Sequence, residues 1–139
     1  MNVDELVAID THTHAEVSCC QPKDPYFEPY ERAADKYFKN AHRPTIAETI
    51  AYYRERKIGL VMFSVDSESH IGNRRIANEE VAEAAQQNSD MMIAFGSIDP
   101  HKGRMGAREA RKLIEEYGVK GFKFHPTVQG FHPQDRMAW

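Results

Sequence analysis

"VAIDTHTHAE", residues 7–16, turns within a few positions from an apolar run into two histidines separated by one threonine. A short apolar run with β-branched residues reads as a buried strand. Side chains alternate along a strand, so His12 and His14 share one face, and their place at its carboxyl end aims both at the mouth of a sheet. Neutral imidazole is the commonest transition-metal ligand, and a catalytic Zn²⁺ takes about three protein ligands plus a water. The pair therefore predicts a divalent-metal site. The plainer alternative is one histidine hydrogen-bonded in the core and the other facing solvent.

Working outward from this strand, three more runs have the same form: "IGLVMFSVD" (58–66), "MMIAFGSID" (91–99) and "VKGFKFHP" (119–126). Each closes in a polar or charged stretch, as buried parallel strands do. Helical patterns separate them. "TIAETIAYYRERK" places Ile46, Ile50 and Tyr53 on one stripe, with Thr45 and Glu48 as a capping box. "NEEVAEAAQQN" starts at Asn78 as a cap and turns Val81, Ala84 and Ala85 inward, and "GAREARKLIEEYG" aligns Ala110, Leu113, Ile114 and Tyr117 before Gly118. Strand and helix alternate at about thirty residues, which predicts an α/β fold of parallel βα units.

The interval 17–44 is far longer than the ~2 to 6 residues of an ordinary βα loop. Within it Tyr30, Ala33, Ala34, Tyr37 and Phe38 keep helical spacing after Pro29, predicting a short amphipathic helix. It either covers one end of the domain or forms a lid over a site.

Composition narrows the function classes. The chain has 139 residues, 41% of them hydrophobic, and a formal net charge of −3 with both signs interspersed. That fits one domain over 1–139 and gives no basic patch for nucleic acid or an anionic membrane. No apolar run approaches the roughly 20 residues that span a bilayer, and "MNVDEL" lacks the basic start of a signal peptide, so the expected location is cytoplasmic. Cys19 and Cys20 are adjacent, which disfavours a disulfide between them and fits a reducing compartment.

"IDTHTH" resembles the first-strand His-x-His of the amidohydrolase superfamily. "GVKGFKFHP" and "FGSIDPHKG" are similar to its branch containing aminocarboxymuconate semialdehyde decarboxylase and γ-resorcylate decarboxylase. "THAEVSC", "RPTIAET" and "FKFHPTVQGFHP" resemble bacterial amidohydrolases and 4-hydroxyphenyl-β-ketoacyl-CoA hydrolases. TatD nucleases and polymerase-type phosphoesterases share the His-x-His, but the missing basic groove speaks against them.

The resemblance implies a TIM (β/α)₈ barrel with one divalent metal, usually Zn²⁺. Its ligands are the first-strand histidines, matched here by His12 and His14, with a histidine on the fifth strand and an aspartate on the eighth; a sixth-strand histidine acts as acid or base. Such barrels need about 250 residues. The four strands read here are an N-terminal half, so the catalytic acid or base is expected on strands beyond this chain. The family chemistry is hydrolysis or decarboxylation of a small carboxylated or aromatic substrate, with a non-catalytic half-barrel serving as an assembly or binding module as the alternative. Some binuclear members carry a metal-bridging carboxylated lysine on the fourth strand, but the decarboxylase-like branch does not. Lys123 is accordingly read as a barrel-interior or substrate-anion contact, with metal bridging as the minor alternative.

His125, at the end of the same strand, is expected to face the site, and Asp66 and Asp99 end the second and third strands, where they either face the site or cap a turn. His42, His70, His101 and His132 fall in polar loops and read as solvated. The outer strands of the half-sheet expose unpaired edges, which predicts a homo-oligomer or aggregation rather than a well-behaved monomer. The 139-residue chain alone is expected to be inactive.

Overall fold

The computed structural model describes residues 1–39 and 42–138; positions 40 and 41 of the 17–44 interval and position 139 lie outside the described residues. The strands are β1 (Ala8–His14), β2 (Ile58–Phe63), β3 (Met92–Gly96) and β4 (Gly121–Phe122). They form one sheet in the order β1-β2-β3-β4, every neighbouring pair parallel. Parallel strands in sequence order with helices between them are half of a β/α barrel, as the repeat predicts. Only the boundaries move. β1 runs on through both histidines, whereas β4 is two residues long, flanked by backbone bonds from Lys120 to Ala94 and from Lys123 to Gly96.

The helices are α1 (Glu28–Phe38), α2 (Ile46–Glu55), the short α3 (Glu68–Ile71), α4 (Asn78–Gln87), α5 (Arg104–Glu115) and the short α6 (Pro126–Gln129). None of the described helices is long and apolar enough to cross a membrane. The Thr45–Glu48 capping box forms at the start of α2. Ile46 and Ile50 from α2, Val81, Ala82 and Ala85 from α4 and Leu113 from α5 pack on Leu60 and Met62 of β2 and Met92 and Ala94 of β3. Full burial of side chains such as Leu60, Met62, Val81 and Leu113 stabilises the fold by roughly 1.5 to 3 kcal/mol each. Alternation sends Val61 and Phe63 to the opposite face of the sheet.

Two helix expectations need correction. Asn78 is the first residue of α4 and not its cap, which is Ala77. Its side chain donates to Ser97 O at 2.9 Å and accepts from Ser97 N at 2.8 Å, pinning the helix to the chain beyond β3. A buried pair of backbone groups outcompetes the free N–H groups of a helix start for this amide. α1 forms, but no described side chain in it is buried and Tyr37 is 81% exposed, so its apolar stripe faces solvent. Ile114 is likewise exposed at 52%, leaving Ala110, Leu113 and Tyr117 as the packed stripe of α5.

Candidate functional site

Strict alternation along β1 would turn Asp10, His12 and His14 to one face. The register is different: Asp10 pairs with Leu60 and Thr13 with Met62, so three steps on β1 match two on β2. This extra residue is a β-bulge, which re-aims side chains. Asp10 and Thr13 turn to the helix side. Tyr53 of α2 donates its hydroxyl to Asp10 Oδ2 at 2.7 Å, and Thr13 Oγ1 donates to Val61 O at 2.6 Å. Asp10 Oδ1 accepts the His12 backbone N–H at 2.9 Å, giving a partner to a donor at the bulge. The Tyr53 hydrogen bond and then the His12 N–H hold the Asp10 carboxyl below its ordinary range, while burial and Asp10 push the Tyr53 phenol up to about 12. Tyr53 therefore stays a donor and Asp10 an acceptor.

His12 and His14 are left together on the opposite face, their Nε2 atoms 3.2 Å apart. Both rings meet Phe63 edge-on, with centroids at 5.2 and 4.9 Å. Lys123 Nζ lies 5.0 Å from the centroid of the same phenyl ring, within cation–π range. Burial lowers the pKa of His14, and the positive fields of His12, Lys123 and His125 lower it further, so His14 presents a neutral ring. Imidazole nitrogens at ~2.0 to 2.1 Å from a tetrahedral ion stand about 3.3 Å apart, so the spacing of the pair matches that of two ligands on one ion.

A cavity of about 310 Å³ opens beside this pair at the carboxyl end of the sheet. Its wall includes His14, Ser64, Arg75 and His125, and the insertion after β1 supplies Ser18, Lys23, Asp24 and Glu31. Both faces of the lid reading therefore have content: the insertion lines a cavity, through residues other than the apolar stripe of α1. Its ends are tied down by a parallel bridge between Val17 and Thr45, and Arg43 pairs with Glu31 at 2.9 Å and Asp35 at 2.8 Å. His125 Nδ1 is buried with no hydrogen-bond partner among the described residues, a donor or acceptor left over at the cavity wall.

The structure thus brings His12, His14, Lys123 and His125 together and sets Asp99 apart from them. Asp99 is fully buried, accepts from Ser69 N at 3.1 Å and from His101 N at 2.9 Å, and bonds the His101 ring at 2.8 Å. Burial works against its charge, but these donors outweigh it and hold the carboxyl below its ordinary range. His101 is accordingly engaged by a carboxylate and not simply solvated. Asp66 is fully buried as well, bound by Arg75 at 2.8 Å and by Lys102.

Gln129, which no local sequence signal marks, joins the strand ends. It donates to Asp66 O at 2.8 Å and Ile98 O at 3.0 Å and accepts the His125 N–H at 2.6 Å. His125 is positioned by that last bond. Phe63, the floor under both histidines, was legible only as a strand residue.

The half-barrel sheet, with paired histidines at its carboxyl end, places the chain among the β/α-barrel proteins. The chain matches the amidohydrolase family over residues 9–139, and it belongs to that family. No curated protein matches it significantly. Amidohydrolases as a class are hydrolase- or lyase-type enzymes that generally depend on a divalent metal, in keeping with the geometry of His12 and His14.

Proposed function

We propose that the chain supplies the first metal ligands and part of the substrate wall of a metal-dependent hydrolase or carboxy-lyase of the decarboxylase-like branch. The observation that carries this reading is the 3.2 Å approach of His12 and His14 Nε2 beside the cavity. These two nitrogens would hold a divalent ion, Zn²⁺ first among the candidates, which would supply Lewis acidity for activating water or polarising a carbonyl. Lys123 gives a fixed positive charge for a substrate carboxylate or phenolate, and the unpartnered His125 Nδ1 offers a hydrogen bond to the same group. Val17, Ile71, Ile76 and Val128, which line the cavity, provide an apolar wall for an aromatic body. Asp99, buried one layer back, keeps His101 and the Ser69 turn in place and supports the wall indirectly. A volume of about 310 Å³ suits a small molecule.

Zinc titration in a Cys19→Ser, Cys20→Ser background tests this, because only the imidazole site is then counted. The expected result is one ion per chain, lost in the added His12→Ala, His14→Ala double variant. Undiminished binding without both histidines ends the reading. The isolated chain should show negligible turnover, since two neutral nitrogens neither orient a water nor move its proton.

A further inference from the structure

The mechanism proposed above leaves one group of metal-ligating side chains unused. Cys19 and Cys20 follow the cavity-lining Ser18, and Glu80 lies one helical turn into α4. The two Sγ atoms are 2.6 Å apart, and the ligand atoms of Cys19, Cys20 and Glu80 all lie within 4.8 Å of one another. Glu80 also fixes the backbone that carries the thiols: Oε2 accepts from Ser18 Oγ at 2.6 Å and Oε1 from Cys19 N at 2.7 Å. Lys112 pairs with neighbouring Glu79, while Glu80 makes no ion pair among the described residues. A carboxylate with no ion-pair partner among the described residues, held against two free thiols by its bonds to Ser18 and Cys19, makes a mixed sulfur and oxygen donor set.

We infer that Cys19, Cys20 and Glu80 form a binding site for a thiophilic divalent cation of the Zn²⁺ or Cd²⁺ class, separate from the histidine pair. On a tetrahedral ion, sulfur at ~2.3 Å and oxygen at ~2.0 Å place ligand atoms roughly 3.5 to 3.8 Å apart, which the exposed thiols reach by small rotations. Water fills the fourth position. The soft sulfurs select against Mg²⁺ and Ca²⁺, which take oxygen ligands. Without an ion, Cys20 and the Glu80 carboxylate push the Cys19 thiol up to about 12, and binding releases its proton to solvent. The ion staples residues 18–20 to α4. Because Ser18 and Gln21 line the cavity, the staple stiffens the wall through which substrate contacts are made.

The test is a Cd²⁺ titration of the His12→Ala, His14→Ala chain under a phosphine reductant, followed by the thiolate-to-cadmium charge-transfer absorption. That background removes the imidazole site, so failure here and failure of the enzyme reading are separately visible. The expected result is a band saturating at one Cd²⁺ per chain, abolished by Cys19→Ser with Cys20→Ser. Glu80→Gln, which keeps an acceptor for Ser18, should weaken affinity by roughly tenfold or more. No band, one ion per two chains, or full affinity in Glu80→Gln would overturn the proposal. X-ray absorption of the Zn²⁺ form with Glu80 intact is independent of any folding defect in that variant. Two sulfur neighbours support the site; none, or four, refute it.

Discussion

On the helix side of the sheet, Leu60 and Met62 are fully buried among α2, α4 and α5, whereas on the other side Ile9, at the same level of the sheet, is 42% exposed. The same strands therefore carry two unlike surfaces. The helix side is closed by the chain's own helices. The opposite side is covered near the carboxyl end, where His12, His14 and Lys123 lie against Phe63, and is open at Ile9 on β1. Stability resides on the first surface and the proposed chemistry on the second, so a substitution's effect should depend on the face its side chain takes. Adjacent residues become the sharpest probes.

The largest expected difference is between Leu60→Ala and Ile9→Ala. Removing the Leu60 side chain opens a cavity in the closed core and should lower unfolding free energy by about 2 to 5 kcal/mol. Ile9 is already hydrated over much of its surface, so its truncation should stay within about 1 kcal/mol. Urea denaturation followed by far-UV circular dichroism measures both, and equal losses would abolish the distinction between the faces.

Asn78 tests how the closed side is pinned. Its amide satisfies both the N–H and the C=O of buried Ser97, so Asn78→Ala should cost about 2 to 4 kcal/mol. Asn78→Asp keeps the acceptor but sets a buried carboxylate oxygen against Ser97 O and Glu109 Oε1, and should recover none of the loss. A capping residue would behave otherwise, since aspartate and asparagine cap a helix about equally well. Full rescue by aspartate would restore the cap reading.

How much of this was legible in the sequence follows from the range of each interaction. The four strands, the parallel order, the capping box at Thr45 and the core stripe of α4 rest on periodicity and on contacts within one helical turn, and they could be read. The His12–His14 convergence was also readable, but by an incomplete argument: alternation alone leaves Asp10 on their face, and the bulge that turns it toward Tyr53 has no local signature. Gln129, which ties Asp66 and Ile98 to the end of β4, acts across 63 and 31 residues. Cys19 meets Glu80 across 61. Hydrophobic pattern carries no information about such polar pairs, and the exposed stripe of α1 shows the converse, a pattern present without a partner.

The open side invites a cover, and we propose a second copy of the chain. β1 and β4 are the two edges of the sheet, and all strands run parallel. A two-fold partner with its axis along the strands would set β4 of each copy beside β1 of the other in parallel, closing both edges. Such a dimer would cover Ile9 together with the half-buried Ile93 and Phe95. Val61 and Phe63 already have cover, which reduces the gain, and Phe124 packs against Phe131. Sedimentation equilibrium should show a dimer that Ile9→Lys weakens roughly tenfold, about 1.4 kcal/mol. A monomer at all micromolar concentrations would mean that the open face needs no partner.

The smallest effect concerns pH and tests the histidine face. Burial, and then the positive charges of His12, Lys123 and His125, hold the His14 pKa below its ordinary 6.5 in the folded chain. In the unfolded chain His14 takes up its proton near 6.5; the folded chain resists until lower pH. Below ~6.5 the unfolded state therefore binds more protons, and stability falls as pH drops toward the folded value, whereas above ~6.5 the contribution is fully present. His14→Gln should flatten the acid side of a melting-temperature profile, and Leu60→Ala should lower the whole profile without changing that slope. Lys123→Met removes one of the opposing charges, so the His14 ring should titrate closer to 6.5 by proton NMR and the slope should shrink in step. An unaltered slope in His14→Gln would place the acid sensitivity in Asp10 and Asp99, whose carboxyls are held below their ordinary range by the hydrogen bonds they accept.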